Sequence, residues 1–322
     1  MDKPLFTFNS DVFRVIAKLF FWLAVVYLLN VIFYLAISNC YLRLSGGVSG
    51  AKISATIRQK HDVFIFGASR GLRHYNSGII SNYTGLSVYN AADDGKSPAY
   101  QLGLLTLLLE QHKPRAVIYE VGDIMSVLAR GDVDLYPYYY SNKDVRLLLN
   151  KKDPFSYIKF RFKTYAYNQR IFTGIRGLLP GKKTADDGYR PLYGCIKDKD
   201  KIEYRDGFEG PDDFSRSGTD TSMIENFRQF ISVCESNQIQ VIFAFSPTLT
   251  GYHATCERLI RSIALEKKIP FFDYSSDMRF KGNRKLFKDV NHLNDEGATL
   301  FSNDIGEKLK KLFADRTKDA NN

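Results

Sequence analysis

Residues Leu19 to Ser38, LFFWLAVVYLLNVIFYLAIS, form a run of twenty without a charged side chain. A helix rising ~1.5 Å per residue through such a run covers about 30 Å, the depth of a bilayer's hydrocarbon layer. The chain is therefore expected to commit one helix to a membrane and to fold the remainder outside it. Lys18 and Arg43 close the run. Its bulky residues and its length fit a retained anchor better than a cleaved signal, which has a shorter apolar core and a small-residue cleavage site; a buried soluble helix is the alternative. Asn30 interrupts the run and has two readings, contact with a partner helix or a tolerated lone amide. Basic residues flank both ends, Lys3, Arg14 and Lys18 before and Arg43, Lys52, Arg58 and Lys60 after, so charge bias leaves the orientation open. The expected division is a stub and anchor over 1–43, a stem over 44–61 and one enlarged domain over 62–322.

The chain has 322 residues and its aromatic content of 14% argues against disorder. The formal charge of +10 is spread along the sequence rather than gathered into a stripe, and with no recognisable nucleic-acid module this argues against nucleic-acid binding. A basic surface suits anionic headgroups or an acidic envelope polymer instead. Cys40, Cys195, Cys234 and Cys256 have no metal-ligand spacing and define no disulfide framework; unpaired buried thiols are expected, one bridge among the last three being the alternative if the domain lies outside the cytoplasm. The sequence calls for no metal or other cofactor.

Beyond the stem the pattern alternates. Short apolar strands are expected at Asp62–Phe66, Leu86–Tyr89, Ala116–Val121, Val241–Ser246 and Phe271–Tyr274, with helices at Ala99–Gln111, Thr221–Ser236, Ala254–Lys267 and from Asp295 to about Phe313. Strand and helix in alternation predict an α/β fold around a parallel sheet. Between about 130 and 220 the pattern breaks into Tyr-, Lys- and Gly-rich sequence, read as a cap or large insertion with amphipathic pieces around Phe155–Phe172.

Two short blocks carry chemistry. DVFIF runs into GASR, which puts Ser69 at the carboxyl end of a strand beside a helix start, where open α/β sheets bind ligands. Backbone amides there can hold an oxyanion or a phosphate, and a plain helix cap is the bland reading of Ser69. KDVNHLNDEGA places Asp289 three residues before His292, ahead of the last helix and on the same rim. At that spacing a carboxylate can fix the imidazole tautomer while the other ring nitrogen takes a proton from serine. GASRGLR also matches part of a dinucleotide-binding turn, but Arg73 occupies the third glycine position and no acidic ribose ligand follows. Arg70, Arg73 and His74 follow the nucleophile at helical spacing and can bind an anionic sugar or carrier, although at least two of the three are expected on the exposed surface.

These two blocks resemble the first and last blocks of the SGNH/GDSL hydrolase superfamily. Over Asp62–Phe313, including YNAADDG, GYRPLYG and FFDYSSDMRF, the chain resembles membrane-anchored SGNH-like proteins of Bacteroides-type bacteria. The resemblance implies a flavodoxin-like three-layer sandwich held by one helix in a bacterial inner membrane, with its soluble domain in the periplasm. It implies Ser69 as nucleophile, His292 as base and Asp289 as orienter. The family's oxyanion glycine best matches Gly95, and its asparagine block falls at Gly122-Asp123. Asp123 thus stands where the family has an amide donor and Ala68 where it often has Asp, so Asn90 is the other candidate for the amide; Arg70 is a candidate substrate contact. The function implied is O-acyl esterase or O-acyltransferase on a cell-envelope polysaccharide, with a membrane-bound O-acyltransferase as possible partner. The alternative is a non-catalytic SGNH-like domain that binds polysaccharide or serves as a scaffold.

Overall fold

The computed structural model of the protein describes residues 10–42, 52–122, 124, 132–168, 187–196, 221–250 and 254–319. In chain order the elements are α1 (Ser10–Leu42), α2 (Lys52–Thr56), β1 (Val63–Phe66), α3 (Ser69–His74), α4 (Ser77–Thr84), β2 (Val88–Asn90), α5 (Pro98–Leu109), β3 (Ala116–Glu120), α6 (Lys143–Lys152), α7 (Ser156–Lys159), α8 (Thr221–Ser236), β4 (Gln240–Phe245), α9 (Ala254–Glu266), β5 (Phe271–Asp273) and α10 (Asp295–Asp319). Tight 3-10 turns lie at Asp132–Tyr138, Lys163–Tyr167 and Arg284–Leu286. The chain forms two compact units, one of residues 1–44 and 136–181, the other of 45–135 and 182–322.

In the first unit α1 is long and apolar enough to cross a membrane. Helix extends past both ends of the uncharged run, so Arg14 and Lys18 lie on it as well. Most of α1 is bare, but the side chains of Asn30, Val31, Tyr34, Ile37, Ser38 and Tyr41 are at least partly covered. Their spacing of three or four residues marks one helical stripe. Asn30 settles between its two readings in an unforeseen way, because its partner is in the same chain: the side-chain amide donates to Thr164 Oγ1 at 2.5 Å, and its oxygen accepts from the Lys163 amide at 2.8 Å.

The second unit is built on five parallel strands in the order β2-β1-β3-β4-β5. Each strand expected from the sequence is present to within two residues at either end. β1 and β3 are buried along their whole length, which is why they read as unbroken apolar runs rather than as alternating ones. Their side chains still divide by parity. Val63, Ile65, Ile118 and Ile242 face a cluster with Ile80 of α4 and Phe301, Ile305 and Leu309 of α10. On the other face Phe66 and Tyr119 meet Phe230 of α8 with ring centroids 5.1 and 4.9 Å apart. Helices on both faces of a parallel sheet in this order make the flavodoxin-like three-layer sandwich, whose strand order reverses between β1 and β3. The crevice at the carboxyl ends of those two strands is where such sheets hold ligands.

Local chemistry fixes the helix starts. Ser97 caps α5 by accepting from the Tyr100 amide at 3.2 Å with Pro98 behind it, and Asn294 caps α10 by accepting from the Gly297 amide at 2.9 Å. Part of the expected insertion belongs to this unit: residues 187–196 run along its rim. There the Asn90 amide donates to Asp187 O at 2.8 Å, the Arg190 amide to Leu72 O at 3.3 Å and the Asp295 amide to Leu192 O at 2.7 Å.

Candidate active site

The turn from β1 into α3 is made by Gly67, at φ +146°. A side chain there would bring its Cβ to 2.8 Å from Glu120 Cβ, so only glycine lets β1 and β3 approach at the crest of the sheet. The Gly67 carbonyl is pinned by Gln101 Nε2 at 2.7 Å and by the Asp93 amide at 3.3 Å. Ser69 follows as the first residue of α3, partly exposed, with its amide in the turn of a helix that has no internal acceptor for it.

His292 reaches this serine from the loop before α10. Its Nε2 lies 2.7 Å from Ser69 Oγ, and its Nδ1 lies 2.9 Å from each oxygen of Asp289. The carboxylate accepts a hydrogen bond from Nδ1–H and so fixes the proton on that nitrogen, which leaves Nε2 as an acceptor for the serine hydroxyl. Asp289 is itself held by the amides of Asn291 and His292, at 2.9 and 3.0 Å to Oδ1. Partial burial works against ionisation of Asp289, but the hydrogen bond and charge of His292 and these two amides outweigh it and hold the carboxyl below its ordinary range. Residues 223 positions apart are thus joined in one hydrogen-bonded line.

Beneath the line lies a buried polar network. His74, fully buried at the end of α3, accepts the Leu293 amide at Nε2 over 3.0 Å and so carries its proton on Nδ1, which donates to Ser246 Oγ at 2.8 Å. Burial, with His292 and Arg70 nearby, pushes the His74 pKa well below the ordinary imidazole value and keeps the ring neutral. Ser246 follows β4, and its amide donates to Glu120 Oε2 at 3.0 Å. Glu120, 1% exposed at the end of β3, also accepts from Tyr75 Oη at 2.5 Å and from the Gly122 amide at 3.0 Å.

The other residues expected at the site divide. Asn90 does not supply a free amide: its two N–H groups donate to the carbonyls of Gly71 and Tyr75 at 2.8 and 3.1 Å, and its oxygen accepts from the Ala92 amide. It braces α3 against β2. Gly95 lies in the loop after β2 at φ +65°, with open space where a side chain would be. Arg73 ties that loop down through an ion pair with Asp94 and a 3.3 Å hydrogen bond to Arg190 O. The expectation that at least two of Arg70, Arg73 and His74 would be exposed is overturned, since Arg70 is 6% and His74 0% exposed. α3 is covered on several sides, by β2, residues 187–190 and α10, and helical spacing alone does not reveal a covered short helix. Asp123 lies outside the described residues. Glu120 and Ser246 were missed; the available signal was a carboxylate ending the apolar run AVIYE, which cannot be buried without partners.

No protein-family profile matches the sequence, and no curated protein does. Among solved structures the chain is similar to one from Bacteroides fragilis described as an acylhydrolase, with 14% identity and a TM-score of 0.38 over 78% of this chain and 86% of that one. It is also similar to one from Desulfitobacterium hafniense described as a lipolytic protein of the G-D-S-L family, with 13% identity and a TM-score of 0.39 over 76% of this chain and 98% of that one.

Proposed function

We propose that the protein is a membrane-anchored serine hydrolase of the SGNH/GDSL type, an O-acyl esterase or O-acyltransferase that acts on a cell-envelope polysaccharide. The observation that carries this reading is the 2.7 Å contact of Ser69 Oγ with His292 Nε2, in a ring whose Nδ1 is held by Asp289. Ser69 attacks the carbonyl carbon of a sugar ester as its hydroxyl proton passes to His292 Nε2. Asp289 stabilises the imidazolium so formed. Collapse of the tetrahedral intermediate breaks the ester C–O bond, the sugar oxygen leaves with the proton from His292, and the acyl group stays on Ser69. Water deprotonated by His292 then releases a carboxylic acid, or a second sugar hydroxyl takes the acyl group in a transfer. The Ser69 amide and Gly95 are the proposed oxyanion donors. No metal or organic cofactor is needed for any step. Anchoring through α1 in a bacterial inner membrane, with the catalytic unit in the periplasm, keeps the site beside envelope glycans and beside a membrane-bound O-acyltransferase if the acyl group is passed on.

The test is fluorophosphonate labelling of the full-length protein in detergent. Labelling of the wild type that disappears in Ser69→Ala supports the enzyme. A folded wild type that resists the reagent favours the non-catalytic reading, a polysaccharide-binding or scaffolding domain.

A further inference from the structure

We propose that residues 155–167 form a second membrane contact, a lipid-facing shelf that lies in the bilayer interface against α1. The inference rests on α1 being a membrane anchor and goes beyond it.

Depth is set by Asn30. The residue lies eight positions inside the uncharged run counted from Ser38, or about 12 Å at the helical rise. Because its side chain accepts from the Lys163 amide and donates to Thr164 Oγ1, the start of the turn Lys163–Tyr167 sits at that level, and the turn climbs from there to the interface, where Tyr167 meets Tyr41 beyond the end of the run. Tyr34 and Tyr41, further along the same stripe, stack their ring edges on Tyr140 and Tyr167. Non-helical backbone survives at membrane depth only where its polar groups are satisfied by protein. Here Asn30 satisfies Lys163, and the amides of Tyr165 and Asn168 donate to Phe162 O and Tyr165 O within the turn. An asparagine inside an anchor thus has a purpose a leucine could not serve.

The outer surface of the shelf matches an interface. Phe155, Tyr157, Ile158 and Phe162 expose 64, 58, 50 and 56% of their areas, and Leu147 of α6 exposes 54%. In a unit bathed by water alone, so many large apolar groups within sixteen residues would be a liability. Interleaved with them are Lys151, Lys152, Arg161 and Lys163, and Lys159, which pairs with the single carboxylate of this stretch, Asp153. Aromatic residues beside long cations are the composition of an interfacial belt, where the rings sit at headgroup depth and the cations reach anionic headgroups. The Lys163 ammonium shows the required direction: it lies 5.5 Å from the Tyr34 ring and 5.8 Å from that of Tyr140, back toward the end of α1 at which the run closes.

The chain contains a single tryptophan, Trp22 in α1, so native fluorescence reports the anchor alone. The full-length protein is reconstituted into vesicles of phosphatidylcholine and phosphatidylglycerol, with and without dibromo-phosphatidylcholine. Trp22→Phe/Phe155→Trp and Trp22→Phe/Phe162→Trp report the shelf at two exposed positions. The expected result is bromolipid quenching of native Trp22 and of both new tryptophans, with emission shifted to the blue and iodide access reduced relative to the same chains unfolded in urea. Quenching of Trp22 alone overturns the shelf and leaves the anchor standing. Failure to quench Trp22 overturns the anchor and the shelf with it.

Discussion

The amide of Leu293, the residue after His292, donates to Nε2 of buried His74 at 3.0 Å, so one histidine holds the loop that aims the other. Replacing it by His74→Phe keeps a ring but removes both hydrogen bonds. The Leu293 amide is then a buried donor without a partner, which costs about 1–3 kcal/mol. The pH response is more specific. The folded ring has its pKa lowered well below 6.5, so folding favours its neutral form. Its contribution is fully present above the unfolded value and is lost as the pH falls below about 6.5, because the unfolded chain then takes up a proton that the folded one refuses. Urea unfolding of the wild type is expected to weaken from pH 7 to pH 5 by up to about 1.4 kcal/mol per unit from this group, and His74→Phe to flatten that slope. An unchanged slope in the variant would remove His74 from the account.

Asp289 is the exposed member of the triad, its side chain about half open to solvent. Asp289→Asn keeps the shape but can present a donor to Nδ1 and stabilise the wrong tautomer. Fluorophosphonate labelling is expected to slow by about 10²- to 10⁴-fold, the upper bound being the loss known for a buried triad carboxylate. Ser69→Ala removes labelling altogether. Since folding lowers the Asp289 pKa, its contribution to stability is present above 3.8 and lost as the pH falls through the lower folded value. The wild type and Asp289→Asn should therefore differ least in stability under strongly acid conditions; a gap that widens with acid would contradict the assignment.

The parts of this site that are legible in the sequence are those fixed by local rules. A strand ending in glycine and serine, and an Asp-x-x-His block before a capped helix, lie on one rim once the strands are parallel, and the 2.7 Å contact is made there. Burial of α3 was not legible, because besides β2 it is covered by residues 187–190 and α10, more than a hundred residues away. The His74 to Ser246 bond spans 172 positions and the Leu293 to His74 bond 219, and no periodicity records such pairings. Asn30 is the same case in the anchor, since the Thr164 side chain that answers it lies 134 positions on. Asn90 looked available because the sequence shows an amide and cannot show that two carbonyls of α3 already occupy it.

Gly67→Ala tests the crest of the sheet. Two costs combine, a backbone conformation at φ +146° that alanine rarely adopts and a Cβ that would lie 2.8 Å from Glu120 Cβ. Together they are expected to lower stability by about 2–4 kcal/mol and to slow labelling of Ser69, two residues on. Gly85→Ala is the comparison. It also has positive φ, at +69°, but nothing lies within 4 Å of its added methyl, so it should cost only about 1 kcal/mol and leave labelling intact. Equal losses in the two variants would mean that close approach to β3 is unimportant.

Glu120→Gln probes the carboxylate that joins the strand ends. Oε2 accepts from Tyr75 Oη and from the Ser246 amide, and Oε1 accepts from the Gly122 amide. A glutamine has one acceptor oxygen. Its less disruptive rotamer keeps that oxygen on Tyr75 and Ser246 and turns an NH2 group toward the Gly122 amide, donor against donor. Loss of one hydrogen bond to a charged group, with the Gly122 amide left unmet, is expected to cost about 1.5–3 kcal/mol in urea unfolding. Tyr75→Phe should remove a second bond of the same carboxylate. Because the two changes share an acceptor, the double variant is expected to lose less than the sum of the singles, by about 0.5 kcal/mol or more. Strict additivity would separate Tyr75 from Glu120, and a Glu120→Gln cost below about 0.5 kcal/mol would show that the strand ends do not depend on the carboxylate.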